Sequence, residues 1–276
     1  MKPDVSFVVI EFHSIDDIAR CIHSIRSAVS GLSYEIIVSS NSCYGPERQR
    51  EIAESFPDAR WVFNERNGGF AYGMNRGLQH AAGRYLVIMN PDVKINRGLA
   101  DMVRFMDSNS DIGAAAPRIV SEEGDVQDSC RPYVSVAGFI GRLIRRTVRN
   151  TSAVLSHSFD YSLIQTVDWV IGAFIMVRRD AYGRTGGLDE HYFMYAEDLD
   201  WCTRIRAAGY EVVYNPSMEI TYKGSRAARR SKKYARIFLK SHMHYWRKFG
   251  FFFGYPRRRN LEWGRCVPTN LKTTGQ

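Results

Sequence analysis

No two of the five cysteines (Cys21, Cys43, Cys130, Cys202, Cys266) stand at CxxC spacing, and their number is odd. That argues against a disulfide framework or a zinc site and suits a reducing compartment. No apolar run approaches the roughly 18 residues that cross a bilayer. Met1-Lys2-Pro3-Asp4 leads straight into a short strand and does not resemble a signal peptide. A cytoplasmic location is the expectation. Acidic residues almost vanish at one end: Tyr222–Gln276 hold 15 Lys/Arg against the single Glu262, a net of +14. The rest of the chain keeps 23 basic and 28 acidic residues, a net of −5. A mildly acidic body therefore carries a strongly basic tail, which points to a polyanionic surface as its partner.

The 276 residues, 45% of them apolar, suffice for a substantial core in about one or two domains. The organising stretch is Tyr85–Asn90, a buried strand entered after Gly83 and stopped by Pro91-Asp92. Pro91 fixes its own φ, so Asp92 is held at the strand's carboxyl end, where open α/β sheets bind ligands. Before it, strands at Val5–Ile10, Tyr34–Ser39 and Arg60–Phe63 alternate with helices at Ile15–Val29, Pro46–Ser55 and Phe70–Ala81. After it come a helix at Gly98–Ser108 and a strand at Ile112–Val120. Alternation at this spacing implies βαβ units and a largely parallel, Rossmann-like sheet flanked by helices, an α/β fold. Residues 121–165 lose periodicity and read as a variable insertion or loop. Order returns in two strand-like runs hinged at Gly172, a helix over Ala196–Ala208 and a last strand at Glu211–Tyr214.

Two clusters carry chemistry. Asn67-Gly68-Gly69 and Gly73, Asn75 and Gly77 surround a helix start. They read either as a backbone cradle for a phosphate or sugar, or as glycines that let a helix lie close on the sheet. Glu197-Asp198-Leu199-Asp200 opens a helix, where acids complement the dipole but also offer a general base. Asp198 and Asp200 fall on nearly opposite sides, so only one of them is expected to face a cleft.

Taken together, Asn67-x-Gly-Phe-Ala…Asn75-x-Gly77, Asn90-Pro91-Asp92-Val93, Asp168-Trp169-Val-x-Gly172-Ala173 and Gly186-Gly187-Leu-Asp189-Glu190…Tyr195-x-Glu197-Asp198-Leu-Asp200…Arg204…Ala208-Gly209-Tyr210 resemble family-2 glycosyltransferases. The nearest likeness is to bacterial rhamnosyltransferases and related O-antigen or cell-wall transferases. It runs from about Val5 to Ser225 with every motif in order. It implies a GT-A fold over residues 1–225 and a basic C-terminal tail over 226–276. The implied reaction is inverting transfer of a sugar from a nucleotide-diphosphate donor to a hydroxyl of a glycan or lipid-linked acceptor, in cell-surface polysaccharide synthesis. The resemblance further implies a divalent cation, Mg²⁺ or Mn²⁺, on Asp92 of a DxD-like motif, with Asp198 as base. Donor contacts fall to Phe12, Ser40, Asn41, Asn67, Gly69, Asn75, Asn90 and Asp92. Acceptor contacts fall to Trp169, Gly172, Ala173 and Glu197.

Three positions depart from the family pattern. The first strand ends Glu11-Phe12-His13 where Thr-Tyr/Phe-Asn is usual. The second ends Ser40-Asn41 where Asp-Asn is usual. Tyr222-Lys223-Gly224 stands where a histidine, often a metal ligand, usually follows the late strand, and Lys223 suits a phosphate. Two rivals follow. A scaffold protein that kept the fold without the activity is one. The other is a nucleotidyltransferase, although Glu11-Phe12-His13-Ser14 lacks the Gly-rich basic loop it needs. Over Tyr234–Pro256 the tail interleaves Phe238, Trp246 and Phe251-Phe252-Phe253 with Arg236, Lys240, Arg247 and Lys248. We expect it on an anionic membrane surface, the enzyme being peripheral on the inner face. Docking on the body or on a second subunit, as in a homodimer, is the other reading. Nucleic acid is not expected, since no nucleic-acid-binding motif accompanies the charge.

Overall fold

The computed structural model describes residues 2–133, 159–224 and 232–250. The apolar runs form a nine-stranded sheet in the order β3-β2-β1-β4-β10-β6-β11-β5, with β8 added beside β11. Its first half is β1 (Val5–Glu11), β2 (Tyr34–Ser40), β3 (Ala59–Phe63) and β4 (Tyr85–Met89). These four run parallel, joined by the crossover helices α1 (Ile15–Ala28), α2 (Pro46–Ser55) and α3 (Phe70–Leu78). All four therefore end on the same edge. Beyond β4 the sheet is mixed. β10 (Phe174–Arg178) lies antiparallel between β4 and β6 (Ile112–Val120). β11 (Glu211–Tyr222) then runs parallel to β6 and antiparallel to β5 (Val93–Arg97).

Side-chain alternation divides the core between the two faces of the sheet. Phe7 and Val9 of β1 point to the side of α1 and α4 (Leu99–Ser108). Val8 and Ile10 point to the other side, toward α3 and α6 (Glu197–Ala207). On that second side α3 lies against the sheet with no room for a side chain at Gly73 or Gly77. A Cβ on Gly73 would meet Ile10 Cδ1 at 2.1 Å, and one on Gly77 would meet Val8 Cγ1 at 2.4 Å. Close packing therefore accounts for these two glycines.

Several boundaries differ from the sequence expectation. β5 follows Asp92 directly, and β11 continues to Tyr222, past Pro216, through a register shift between Asn215 and Glu219. α3 stops at Leu78, short of the Ala81 expected. Within the aperiodic 121–165 stretch, β7 (Cys130–Arg131) pairs with β9 (Trp169–Val170), and β8 (Gln165–Thr166) joins the main sheet. Residues 134–158 of that stretch, and 251–256 of the expected tail helix, lie outside the described residues. Between β10 and α6 the short α5 (Arg179–Thr185) leads into the Gly186–Asp189 turn.

The basic tail forms α7 (Lys232–Phe249). Its aromatic side lies on the body: Tyr245 and Trp246 are buried and join the same core cluster as Leu199 and Ile205 of α6. The Tyr245 hydroxyl meets Thr203 Oγ1 at 3.0 Å, and Lys248 Nζ donates to Asp200 at 2.7 Å. The opposite side, with Lys232, Arg236, Leu239, Lys240 and Arg247, is exposed.

Candidate active site

The carboxyl edge of the parallel strands gathers the first group of candidates. Asn90 follows β4, and its N–H donates to the Ala173 carbonyl at 3.0 Å. Its side-chain Nδ2 donates to the Tyr222 hydroxyl at 3.1 Å. Burial pushes the Asp92 carboxyl above its usual range, while the Gly224 N–H and the Lys223 charge pull it down. Tyr222 stands where the family usually has a histidine. Burial and the charges of Asp92, Tyr195 and Asp198 hold its phenol up at about 12, with the Asn90 hydrogen bond opposing them, so it stays neutral. Tyr222 lies within electrostatic range of both Asp92 and Asp198. Lys223, next in sequence, is exposed.

The second group is delivered by the turn before β10. Gly172 N–H donates to Asp198 Oδ2 at 2.8 Å, and Leu199 N–H donates to Oδ1 at 2.8 Å. Asp198 thus starts α6 with both oxygens fixed. Burial raises its carboxyl, and the two N–H groups and the Arg131 charge lower it. Beside it Glu197 is buried, with Oε2 lacking a hydrogen-bond partner. Desolvation first, then the Asp198 charge, push its carboxyl well above 4.5. Burial and the Asp198 charge both oppose ionisation of Glu197. Asp200 turns the other way, fully buried, and receives Arg204 Nε at 2.6 Å and Lys248 Nζ at 2.7 Å.

Backbone strain collects here. Tyr195 and Ala196, just before α6, have φ of 72° and 66°, and His13 and Cys43 after β1 and β2 have 50° and 54°. These are the non-glycine left-handed residues among those described. Such strain persists where the surroundings over-determine it, most often at functional sites.

The remaining candidates divide by what their side chains touch. Phe12 is half exposed at the end of β1. Asn41 is buried; its Nδ2 donates to the Gly69 carbonyl at 2.9 Å and its Oδ1 accepts from Asn64 at 3.0 Å. Asn67 Oδ1 accepts the Gly69 N–H at 3.0 Å. Gly69 itself sits at φ 92°, with its position for a Cβ 2.1 Å from the Phe193 carbonyl oxygen. Asn75 clamps the later motif, accepting from Leu188 N at 2.9 Å and donating to Leu188 O at 2.8 Å. Trp169 is buried, with Nε1 on the Pro132 carbonyl and Arg131 over its ring. Ser40 donates to Glu11 Oε2 at 2.5 Å.

That last bond explains the first two departures. Glu11 and Ser40 are register partners, so the usual acid of β2 and hydroxyl of β1 have changed strands while the edge keeps one of each. Glu11 was not among the candidates, nor was Arg131. The strand-end exchange signalled the first, but nothing marked Arg131, which lies in the aperiodic stretch.

The electrostatics fix a pH effect. For Glu197 the folded carboxyl titrates above the unfolded one, so between the two values the folded state holds the extra proton and stability falls as pH rises. Glu197→Gln should therefore stabilise the fold at pH 8 relative to the parent, with the gain disappearing below about pH 4.5. Thermal melts across pH test this, and a gain independent of pH would contradict it.

Comparison with known proteins matches this arrangement. The model of the glycosyl transferase family 2 matches residues 6–184. The N-acetylglucosaminyl-diphospho-decaprenol L-rhamnosyltransferase of Mycobacterium tuberculosis is 32% identical over 187 residues, covering 61% of this chain and 60% of its own. The rhamnosyltransferase WbbL of Escherichia coli is 23% identical over 226 residues, covering 76% of this chain and 80% of its own. The chain spans about three fifths of the first of these relatives. Among solved structures, a mannosyltransferase of Pyrobaculum calidifontis in complex with GDP-Man and Mn²⁺ superposes with a TM-score of 0.60. It is 19% identical, over 92% of this chain and 66% of its own, and so shares the GT-A fold. With a family model spanning more than half its length and its fold found in such enzymes, the chain belongs to glycosyl transferase family 2.

Proposed function

We propose that the protein transfers a sugar, with inversion, from a nucleotide-diphosphate donor to a hydroxyl of a glycan or lipid-linked acceptor. The observation that carries this reading is the pair of consecutive residues Gly172 and Ala173, which tie Asp198 and Asn90 to one turn. The rhamnosyltransferases among the relatives favour a rhamnosyl donor and an acceptor on a lipid diphosphate.

In this reading Asp198 accepts the acceptor's hydroxyl proton. The freed oxygen attacks the anomeric carbon, and the bond to the diphosphate breaks with its electron pair leaving on phosphate. Burial raises the Asp198 carboxyl, which makes it a stronger base than a solvated carboxylate. Ionisation of Glu197 is disfavoured beside it, which limits the negative charge at the site. Asp92 offers a partly desolvated carboxylate oxygen, which suits a hard divalent cation such as Mg²⁺ or Mn²⁺, and Asn90 is a second oxygen on the same turn. When bound, the cation neutralises charge on the diphosphate. Lys223 then holds a phosphate as an exposed point charge. Phe12 lies open to stack on the nucleotide base, while Ser40, Asn41, Asn67 and Gly69 shape the cradle from behind.

No helix among the described residues is long and apolar enough to cross a membrane. The outer side of α7, with Lys232, Arg236, Lys240 and Arg247 around Leu239, instead suits adsorption to an anionic bilayer on the cytoplasmic face. Each such cation is worth about 1 kcal/mol near the surface. Reversing Arg236 and Lys240 to Glu should release the protein from phosphatidylserine vesicles and leave its melting temperature in place. Retained sedimentation with the vesicles would dismiss α7 as the contact.

The chemical step has its own test. Asp198→Asn should fold and bind nucleotide as the parent does, and lose ~10²–10⁴ in turnover. Asp200→Asn, which breaks a buried ion network, should act mainly on stability. Near-parental turnover in Asp198→Asn, measured with purified donor and acceptor, would move the base elsewhere.

A further inference from the structure

The described residues contain one cluster with the chemistry of a second, different metal site. Asp189 and His191 belong to the loop between α5 and α6, and His244 belongs to α7. One ligand atom from each lies within 4.8 Å of the others. His191 Nδ1 is 2.8 Å from Asp189 Oδ1, and His244 Nε2 is 3.8 Å from Asp189 Oδ2. The two imidazoles stand nearly parallel, their centroids 5.4 Å apart, and Tyr192 packs its edge on His244.

Two features separate this cluster from an ordinary surface ion pair. His244 Nε2 is buried yet has no hydrogen-bond partner, although a buried ring nitrogen normally finds one. The carboxylate is also divided: Lys248 Nζ takes Asp189 Oδ2 at 2.6 Å and shares itself with Asp200, while Oδ1 accepts the His191 N–H at 3.0 Å and pairs with His191 Nδ1 at 2.8 Å. An ion bound here would take the place of the proton that His191 Nδ1 and Asp189 Oδ1 share, and would give His244 Nε2 the partner it lacks.

We propose that Asp189, His191 and His244 bind a borderline-soft divalent ion of the Zn²⁺ class, which staples α7 to the loop ahead of α6. Two imidazole nitrogens and one carboxylate oxygen are the ligand types Zn²⁺ selects, with water completing a four-coordinate shell. Mg²⁺ prefers all-oxygen octahedra and is poorly served here. The site thus differs in ligand chemistry from Asp92, and its occupancy does not depend on the transfer reaction. Its consequence is mechanical: a ligand from α7 and two from the loop share one ion, so the ion stabilises only the state in which α7 is docked.

The test uses the full-length, tag-free protein carrying Asp92→Ala, stripped of metal with chelator. Titration with Co²⁺ is followed by visible absorption, and melting temperature is measured with Zn²⁺ or Mg²⁺. We expect d–d bands that saturate near one equivalent and are lost on adding Zn²⁺ but not Mg²⁺, together with a melting temperature that rises with Zn²⁺ concentration. His191→Ala, at a side chain 80% exposed that the fold does not need, should lose both the bands and the Zn²⁺ shift. His244→Ala should lose them too, with circular dichroism confirming the fold. No bands in the Asp92→Ala protein, or bands and shift that survive His191→Ala, would overturn the proposal.

Discussion

Strand β10 enters the sheet against the direction of β4, and the rest of the site hangs on the two peptide groups just before it. Ala173 C=O receives the Asn90 N–H, and Gly172 N–H reaches Asp198. A parallel strand in this position would have brought its amino end to the far edge, away from Asn90. The reversal bonds the turn that carries Asp92 and the helix that carries Asp198 to one dipeptide. Because both bonds are to backbone, side-chain substitution in this dipeptide does not by itself remove them. Gly172 even has room for a methyl, since its nearest neighbour would be Asp198 Cβ at 3.5 Å.

A second constraint lies at the ends of β1 and β2. Glu11 is fully buried and makes its bonds to neutral donors: Ser14 N–H, the hydroxyls of Ser40 and Ser42, and the Tyr44 phenol. A carboxylate out of water is costly unless its lone pairs are satisfied, so these donors are drawn to it. They come from the end of β2, the loop that follows it and the start of α1, and the helix dipole of α1 adds to the attraction. The result is a braced strand edge on which Phe12 stands exposed. Moving the acid from β2 to β1 preserves this brace while changing which strand carries its charge.

Much of this could be read from the residues. The parallel half of the sheet was legible because its strands are nearly uninterrupted apolar runs and its helices keep a clean stripe, Ile18, Ile22 and Ile25 in α1. β5 was not, because Lys94, Asn96 and Arg97 dilute five residues that follow directly on Pro91. β11 was cut short at Tyr214 because Pro216 and Ser217 resemble a strand end; the chain passes them with a register shift at an interruption that strand pairing tolerates. The asparagines illustrate a different limit. Asn41 and Asn75 belong to motifs, but residue type alone does not say whether an amide faces a ligand or, as both do here, holds another loop. The amphipathic pattern of α7 was plain, yet an aromatic stripe reads the same whether it meets lipid or Leu199 and Ile205. The His191–His244 pairing joins residues far apart in sequence, and only the fold brings them together.

The central claim is that Asp198 is the base and that its proton affinity is set by its surroundings in the cleft. The most direct measurement is the pH dependence of kcat/KM in the parent and in Arg131→Gln. The Arg131 charge lowers the Asp198 carboxyl, so removing it should raise that carboxyl and carry the acid limb of the profile to higher pH. An acid limb that stays at the same pH in Arg131→Gln, in a protein that still turns over, would contradict the assignment.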